Sequence, residues 1–457
     1  MPSLPLLLSV PVALLLISLY PLLIFLTPHS RAALPSERHY LYTKPTPPPP
    51  ANYNKSASAD DNGAEDDSIL SGKLPSIEQP ATVQLSVVIP AYNEESRLPD
   101  MLTEAVEYLE GVRTAHRSLA SAGPSSSSSS NGNGNATQNG KSQNVSPQAA
   151  LQATLTSYEI VIVDDGSRDK TIAVALKLAR KLGLAEGSGR ELRIIKLEKN
   201  RGKGGAVRHG VLHSRGALIL FADADGATRF SDLGMLCAEM DRVRTPTGHG
   251  AVLGSRAHLV GSEAVVKRSF VRNFLMHSFH LFLSLLLRPP SPARLLRAWN
   301  RARASSLKTA APLAQPEIRD TQCGFKLFTR ATAQHIFPLA HIDRWIFDVE
   351  LLMLAEMASE RTLRSGAGAV KRPSSSSTIK SKINSSPSLG QIHSEGEQGI
   401  LLRLPLPIAE IPVHWAEVSG SKIELLKDSI GMALDLLILR ANYGIGRWSR
   451  PGVVSVE

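Results

Sequence analysis

The chain has 457 residues, of which 42% are hydrophobic and only 5% aromatic, and its formal net charge is +10. This length allows two or three domains, or one large α/β domain with insertions, and the charge favours anionic partners such as phosphorylated small molecules or lipid headgroups. Because the basic residues are spread along the chain and aromatics are few, no nucleic-acid-binding surface is expected. Two isolated cysteines exclude a disulfide framework and a CxxC metal site.

The first 27 residues carry no charged side chain, and residues 4–26 are long enough to cross a bilayer as a helix. The segment lacks a basic n-region and a clear cleavage site, which favours a transmembrane anchor at residues 1–27 over a cleaved signal peptide. Basic residues follow the segment and none precedes it. The positive-inside rule then predicts a single-pass protein whose remaining chain faces the cytosol.

The rest of the chain divides by composition. Residues 28–82 are rich in Pro, Ser, Ala and Asp, show no apolar periodicity and predict a disordered linker. One compact domain is expected over residues 83–450. Low-complexity inserts near residues 121–148 and 365–399 predict surface loops, and a basic, proline-containing insert near residues 288–315 predicts a loop or a membrane-surface helix.

Short apolar segments alternate with helical patterns from residue 85 onward. Strands are predicted at residues 85–90, 158–163, 192–197 and 217–222, and helices at residues 95–117, 170–182 and 204–214. This alternation predicts a mostly parallel sheet covered by helices on both faces. Ligands bind such sheets beyond the carboxyl ends of the strands, so the functional residues are expected just after each strand.

Carboxylates and amides follow three of these strands. The motif PAYNEE follows the first, Asp164 and Asp165 follow the second, and Asp223 and Asp225 follow the fourth. Each alone has another explanation, as a helix cap or a turn. Together they predict one crevice. Residues two apart in an extended segment project to the same side, so Asp223 and Asp225 are placed to approach one divalent ion and a diphosphate.

The sequence NRGKGGAVR opens the third predicted helix. Glycines there let the backbone approach a phosphate, and Lys203 and Arg208 supply positive charge. A solvated surface turn has the same composition. The spacing is not that of a P-loop, and no GxGxxG follows the first strand, which argues against a dinucleotide-dependent oxidoreductase.

Four motifs in chain order, LSVVIPAYNEESRLPDML, EIVIVDDGSRDKT, NRGKGGAVRHG and FADADGAT, resemble the nucleotide-sugar-binding half of family 2 glycosyltransferases. Three later segments, IRDTQCGFKLF, RWIFDVE and IPVHWAEVSGSK, resemble the dolichyl-phosphate β-glucosyltransferases within that family. The resemblance runs from about residue 85 to residue 448, interrupted by the inserts. It implies the GT-A fold, a Rossmann-like, mostly parallel α/β sheet flanked by helices, behind an N-terminal transmembrane helix.

The resemblance also implies an activity: transfer of glucose from UDP-glucose to dolichyl phosphate with inversion, giving dolichyl β-D-glucosyl phosphate for protein N-glycosylation. Its implied partners are UDP-glucose, dolichyl phosphate and the endoplasmic reticulum membrane, with the catalytic domain on the cytosolic face. The implied cofactor is Mg²⁺ or Mn²⁺. Two alternatives are a polyprenyl-phosphate mannosyltransferase using GDP-mannose and an inactive, membrane-tethered nucleotide-sugar-binding protein.

Residue roles follow by match to the family motifs. Asp223 and Asp225 are expected to hold the metal against the diphosphate, which stabilises the departing UDP. The remaining candidate donor-binding residues are Pro90, Ala91, Tyr92, Glu94, Asp164, Asp165, Lys203 and Arg208.

The acceptor places different demands on the site. A phosphate monoester is mostly dianionic at pH 7 and needs little help from a general base. Asp320 and Asp348 are candidate catalytic residues by position, either as a base or by positioning glucose hydroxyls. The acceptor phosphate needs nearby positive charge, for which Arg268 and Lys326 are the candidates. Apolar residues 270–287 and 425–439 are core helices or interfacial ones, and the arginines after the first segment favour the membrane interface there.

Overall fold

The computed structural model describes residues 20–28, 31–44, 69–121, 155–259, 318–363, 401–420 and 424–455. Most of the predicted anchor and of the three predicted inserts lies outside these ranges, as do Arg268 and residues 270–287. The predictions for those residues therefore stay predictions.

Four parallel strands form the centre of a nine-stranded sheet: β3 (Val83–Ala91), β4 (Tyr158–Asp164), β5 (Arg190–Lys196) and β6 (Gly216–Ala222). They lie in the order β6-β3-β4-β5. All seven residues of β4 are buried, as expected for a strand covered on both faces. The predicted strands and their parallel arrangement are confirmed.

The sheet continues beyond β6 through an antiparallel strand. β8 (Phe325–Thr329) pairs antiparallel with β6 and with β7 (Ala251–Ser255), and β11 (Ile408–Pro412) pairs parallel with β7. A second sheet consists of three strands, β9 (Ser359–Leu363), β10 (Leu401–Pro405) and β12 (Val453–Ser455), in the order β10-β9-β12.

Helices cover both faces of the large sheet. One hydrophobic cluster lies beneath α1 (Leu98–Ser121), α2 (Thr171–Leu182) and α4 (Leu233–Val243). A second cluster, on the opposite face, includes side chains from α3 (Lys203–Leu212), α5 (Arg330–Ile336), α6 (Phe347–Met357) and α7 (Leu425–Gly444). Neighbouring β3 residues divide between the two, Val87 in the first and Val88 in the second, because successive strand side chains point to opposite faces.

The prediction of a disordered linker over residues 28–82 is wrong in part. The structure has a 3-10 turn at Ser36–Arg38 and two strands, β1 (His39–Thr43) and β2 (Ile69–Lys73), that extend the sheet antiparallel from β5. Tyr40 is buried, and the guanidinium of Arg193 lies 4.3 Å from its ring centroid. These strands are too short to show a periodic pattern in the sequence. They form because they pair with each other and with the edge of the sheet at β5.

The chain before β1 packs against α7. Residues 20–26 are helical, and Leu23 lies against the second cluster. The Thr27 hydroxyl accepts hydrogen bonds from Asn442 Nδ2 at 3.0 Å and from Arg447 at 3.1 Å. Among the helices in the described ranges, none has the length and hydrophobicity needed to cross a membrane.

Candidate active site

The loops after β3, β4 and β6 meet at one edge of the sheet, as predicted from their motifs, because the three strands are adjacent and parallel. Hydrogen bonds from main-chain amides to side chains join the loop after β3 to the loop after β4. Asn93 N donates to Ser167 Oγ at 2.9 Å, and Arg168 N donates to Asn93 Oδ1 at 2.8 Å. Asn93 has a φ of 53°, a region that asparagine tolerates better than most residues. The crevice is therefore built on a fixed backbone.

Pro90 and Ala91 end β3. The β6 ladder stops at the pair Val88 and Phe221, so Pro90 lies where no amide is needed on that side. Tyr92 follows, half-buried. Glu94 is buried, and its carboxylate accepts two hydrogen bonds from the Arg97 guanidinium, at 2.6 and 2.8 Å. Glu94 thus fixes an arginine that the sequence motif contained but that was not predicted as a site residue.

Asp165 holds the turn that precedes α3. Its Oδ1 accepts a hydrogen bond from Arg201 N at 2.6 Å and its Oδ2 one from Gly202 N at 2.9 Å. Burial raises the pKa of Asp165 to about 7, although the two amide donors favour the ionised form. Asp164 is fully buried, accepts from Ser167 N at 3.2 Å, and its pKa is also raised by burial. In the described residues both aspartates shape loops.

The glycines that open α3 allow close packing. Gly202 has a φ of 90°, which a side chain would disfavour. A Cβ at Gly204 would lie 2.5 Å from the Cβ of Phe347 in α6. The space beside Gly204 is thus occupied by Phe347, whereas the sequence predicted that these glycines let the backbone approach a phosphate.

The turn before α3 is also held from the N-terminal segment. Glu37 is fully buried and accepts hydrogen bonds from Arg201 at 2.9 Å, from Leu34 N at 2.9 Å, from Glu198 N at 2.9 Å and from Arg31. Burial raises the pKa of Glu37, but these donors outweigh it and the pKa is lowered. No sequence pattern predicted this residue, because it lies in the segment expected to be disordered.

Lys203 and Arg208, both on α3, have different partners. Lys203 Nζ lies 2.6 Å from Asp223 Oδ1, inside the crevice. Burial lowers the pKa of Lys203, but the charge of Asp223 outweighs it and the pKa is raised. Arg208 donates to Asp343 Oδ1 at 2.8 Å and to the carbonyl of Ala340. The structure therefore brings Lys203 to the predicted diphosphate site and uses Arg208 to hold the segment before α6.

Asp223 and Asp225 follow β6 as predicted. Asp223 N donates to the carbonyl of Gly324 at 3.2 Å, and a Cβ at Gly324 would lie 2.1 Å from Asp223 Oδ2. Asp225 lies in a turn rather than an extended segment, accepts from Ala227 N at 3.1 Å, and has Arg97 at 3.9 Å. Burial, and then the negative charge of Asp223, raise the pKa of Asp225.

The two carboxylates fit a divalent cation. About 33% of the Asp223 side chain and 28% of the Asp225 side chain is exposed, and their mutual repulsion would be relieved by positive charge. Within the described ranges, no group of three or more His, Cys, Asp or Glu side chains is arranged to bind a metal. Two protein carboxylates completed by phosphate oxygens and water are typical of Mg²⁺ sites.

Two ion pairs line the other side of the crevice. Asp320 accepts hydrogen bonds from Arg256 Nε at 2.7 Å, from the second guanidinium nitrogen at 2.9 Å and from the Arg256 amide at 2.8 Å. Burial raises the pKa of Asp320, but the Arg256 hydrogen bonds outweigh it and hold the pKa below its usual range. The same guanidinium lies 5.6 Å from the ring centroid of Trp415. The carboxylate of Asp320 is thus held in an ion pair with Arg256.

The second pair is buried. Lys326 is 1% exposed, and its Nζ donates to Asp348 Oδ1 at 2.6 Å and to the carbonyl of Cys323. Burial raises the pKa of Asp348, opposed by Lys326 and Lys203. The sequence predicted that Lys326 contacts an acceptor phosphate. The structure instead gives Lys326 a carboxylate partner that is buried with it behind the crevice wall.

A segment after β11 closes the rim beside Asp225. Arg229 N donates to the carbonyl of His414 at 3.0 Å, and Ala416 N donates to that of Ala227 at 2.9 Å. Asp232 accepts from His414 N at 2.6 Å. The motif IPVHWAEVSGSK, which the sequence contributed only as a resemblance, therefore contacts residues 227–232, which follow the turn that carries Asp225.

The chain matches known proteins over most of its length. The profile of glycosyl transferase family 2 matches residues 146–267. A dolichyl-phosphate beta-glucosyltransferase from Dictyostelium discoideum is 34% identical over 366 residues, which cover 80% of this chain and 76% of the relative. One from Saccharomyces cerevisiae is 33% identical over 416 residues, covering 89% of both.

A crystal structure of glucosyl-3-phosphoglycerate synthase from Mycobacterium tuberculosis in complex with UDP aligns with a TM-score of 0.36 and 13% identity, over 79% of this chain and 81% of that one. A likeness this weak carries no conclusion about the site. The identity and coverage of the two relatives establish the family of this chain. The mostly parallel α/β sheet agrees with the GT-A fold of that family. The chain belongs to the dolichyl-phosphate beta-glucosyltransferases of glycosyl transferase family 2.

Proposed function

We propose that this glycosyltransferase transfers glucose from UDP-glucose to dolichyl phosphate with inversion, forming dolichyl β-D-glucosyl phosphate for protein N-glycosylation. The observation that carries the proposal is the open carboxylate pair Asp223 and Asp225 at the end of β6, in a chain that belongs to this family.

The donor lies over the carboxyl ends of β3, β4 and β6 in this proposal. Pro90, Ala91 and Tyr92 supply the wall for the uridine, and Asp165 keeps the facing turn in place through its two amide hydrogen bonds. Lys203 lies at 2.6 Å from Asp223 and supplies positive charge to the diphosphate. Arg97, held by Glu94, is a second cation on this side.

Asp223 and Asp225 would hold Mg²⁺ or Mn²⁺. When bound, the ion would stabilise the negative charge that develops on the leaving UDP. Lys203 remains as an independent source of positive charge at the same carboxylate.

The acceptor phosphate acts as the nucleophile. It is mostly dianionic near neutral pH, so it attacks without prior proton removal. This agrees with the state of Asp320, whose pKa is lowered by Arg256 despite burial and which is therefore a poor proton acceptor at pH 7. Asp320 is proposed to orient the glucose and Arg256, whereas Asp348, buried with Lys326, is proposed to act from behind the site on the cations around it. Arg256, 32% exposed in its side chain, and Arg268 are the proposed partners of the acceptor phosphate.

The enzyme is proposed to be a single-pass protein of the endoplasmic reticulum membrane, anchored by residues 1–27, with the catalytic domain, residues 83–450 together with strands β1 and β2, in the cytosol. The uncharged N-terminal sequence and the basic residues that follow it support this. Four N-x-S/T sequons, at Asn54, Asn135, Asn144 and Asn384, provide the test. They should stay unglycosylated in cells, and a glycosidase-sensitive mass shift would contradict the orientation.

The activity is tested with the purified full chain and dolichyl phosphate. UDP-glucose should be turned over and GDP-mannose should not; the reverse preference would favour the mannosyltransferase alternative. The double variant Asp223→Ala/Asp225→Ala should lose activity while keeping its fold by circular dichroism. Wild-type activity in that variant would rule out the proposed metal site.

A further inference from the structure

An apolar surface lies at the end of the molecule where residues 20–26 meet α7. Phe25 is 84% exposed and Ile430 is 64% exposed, an unusual degree for such side chains. Six more large apolar residues in the same two segments are also exposed: Tyr20, Leu22, Ile24, Leu26, Leu434 and Leu437. Single exposed apolar side chains are normal, whereas a group of them marks a surface that binds another protein or a membrane.

The exposed residues of α7 form a stripe. Ile430, Leu434 and Leu437 are spaced four and three residues apart, which places them on one side of the helix. Exposed basic residues, Lys427 and Arg440, lie at the two ends of the stripe. The opposite side of α7 is also apolar and joins the second core cluster. A helix with apolar residues on both sides and cations at its ends suits an interface between a protein and lipid.

The two segments are attached to each other. The hydrogen bonds to Thr27 come from Asn442 in the last turn of α7 and from Arg447 just after the helix, and Leu23 packs against the same core cluster as α7. Both segments are therefore held against the same core cluster.

We propose that this surface, formed by residues 20–26 and the outer side of α7, lies on the cytosolic leaflet of a bilayer. The sequence that precedes this surface favours lipid as its occupant. Residues 1–19 precede this surface in the sequence and carry no charged side chain, which suits a segment that enters the bilayer. Lys427 and Arg440 suit phosphate headgroups, and tyrosine at position 20 suits the interfacial layer.

The proposal also orients the crevice. Gln322 Nε2 lies 3.7 Å from the Met432 sulfur of α7, and Gln322 N donates to Asp320 Oδ1 at 3.2 Å. The helix that lies on the bilayer therefore touches the loop that carries Asp320. If the proposed function is right, this brings the rim beside Asp320 to the leaflet from which the lipid phosphate arrives.

The test is fluorescence quenching with the full chain reconstituted in liposomes. Both natural cysteines, Cys237 and Cys323, are buried, so one introduced cysteine can be labelled selectively. Ile430→Cys carries the environment-sensitive probe, and Lys177→Cys, exposed on α2 at the opposite face of the sheet, is the matched control. We expect doxyl-labelled lipid to quench at least about half of the Ile430→Cys signal and little of the control, because interfacial helices sit within the headgroup and acyl boundary.

Two results would overturn the proposal. One is equal quenching of both probes by aqueous iodide in liposomes. The other is protection of Ile430→Cys without lipid quenching but with crosslinking between chains, which would assign the surface to a second copy. Neither readout depends on turnover, so a failed activity assay would challenge the proposed function and leave this test standing.

A kinetic readout links the surface to the acceptor. The variant Ile430→Asp/Leu437→Asp should raise the KM for dolichyl phosphate in liposomes and leave the KM for UDP-glucose unchanged. A short prenyl phosphate in detergent should be used at the wild-type rate. An equal loss with both acceptors would show a structural defect and would count against the membrane role.

Discussion

On one side of the crevice the carboxylate of Asp165 accepts hydrogen bonds from two main-chain amides, whereas on the other side the carboxylates of Asp320 and Asp348 bind the side chains of Arg256 and Lys326. We call these the loop side and the ion-pair side. A carboxylate bound to amides fixes the path of the backbone, and one bound to a cation cancels charge inside the protein. The loop side thus controls shape and the ion-pair side controls electrostatics.

The largest effect is expected from breaking the buried ion pair. Lys326→Met leaves Asp348 buried and uncompensated, which should lower the free energy of unfolding by about 3–5 kcal/mol. The double variant Lys326→Met/Asp348→Leu should recover much of that loss, as measured by chemical denaturation. If the single and double variants are equally unstable, the charge pairing is not what matters on this side.

Gly324→Ala should have the next largest effect. The added Cβ would meet Asp223 Oδ2 at 2.1 Å, so the carboxylate must move. A displacement of this kind near reacting groups costs about 100-fold in rate. The measurement is kcat with UDP-glucose and dolichyl phosphate. Gly111→Ala is the control, because a Cβ there meets nothing within 4 Å. Near-normal kcat in Gly324→Ala would mean that the position of Asp223 is not critical.

A smaller effect is expected from Glu37→Gln on the loop side. The neutral amide keeps the shape but loses the charge that binds Arg201 and Arg31, an interaction worth about 1–3 kcal/mol. We expect a raised KM for UDP-glucose with kcat changed less. Glu198→Gln, whose carboxylate accepts from Ser36 in an exposed contact, is the control. A uniform loss of kcat with unchanged KM would contradict a role in positioning the nucleotide loop.

The smallest effect is a pH dependence of stability. Because the pKa of Asp165 is about 7 when folded, above its unfolded value of about 4, ionising it costs more in the folded protein. Its contribution to stability is therefore complete below about pH 4 and is lost as the pH rises through about 7. The Tm of the wild type should fall over this range relative to that of Asp165→Asn. Parallel Tm profiles would show that Asp165 ionises as an ordinary carboxylate.

The sequence predicted the loop side better than the ion-pair side. The apolar runs that form β3, β4 and β6, and the polar residues after them, are local patterns. Any parallel arrangement of these strands places those polar residues at the same edge of the sheet. The partners of Asp320 and Lys326 are set by β8, an antiparallel strand inserted between β6 and β7, whose position has no local signature. Charged residues found by motif, such as Arg208 and Lys326, were predicted near ligands because a sequence does not reveal which carboxylate a long side chain reaches.

Glu37, β1 and β2 were missed for a related reason. Their segment has the composition of a linker, and only the contacts with β5 and Arg201 give it structure. Conversely, Asp223 and Asp225 were found because a DxD motif after a buried strand is both local and chemically distinctive.

The attachment of β1 to β5 has a practical consequence for producing the protein. A shortened chain that starts at Val83 would begin at the apparent domain boundary, yet it would strip β5 of its outer neighbour and present a row of unpaired main-chain amides and carbonyls. Such an open edge recruits strands from other molecules, so this version should precipitate or form mixed oligomers. Expression clones that begin before Arg31 retain the covering strands together with Glu37, and are the better starting material for crystallisation or cryo-electron microscopy.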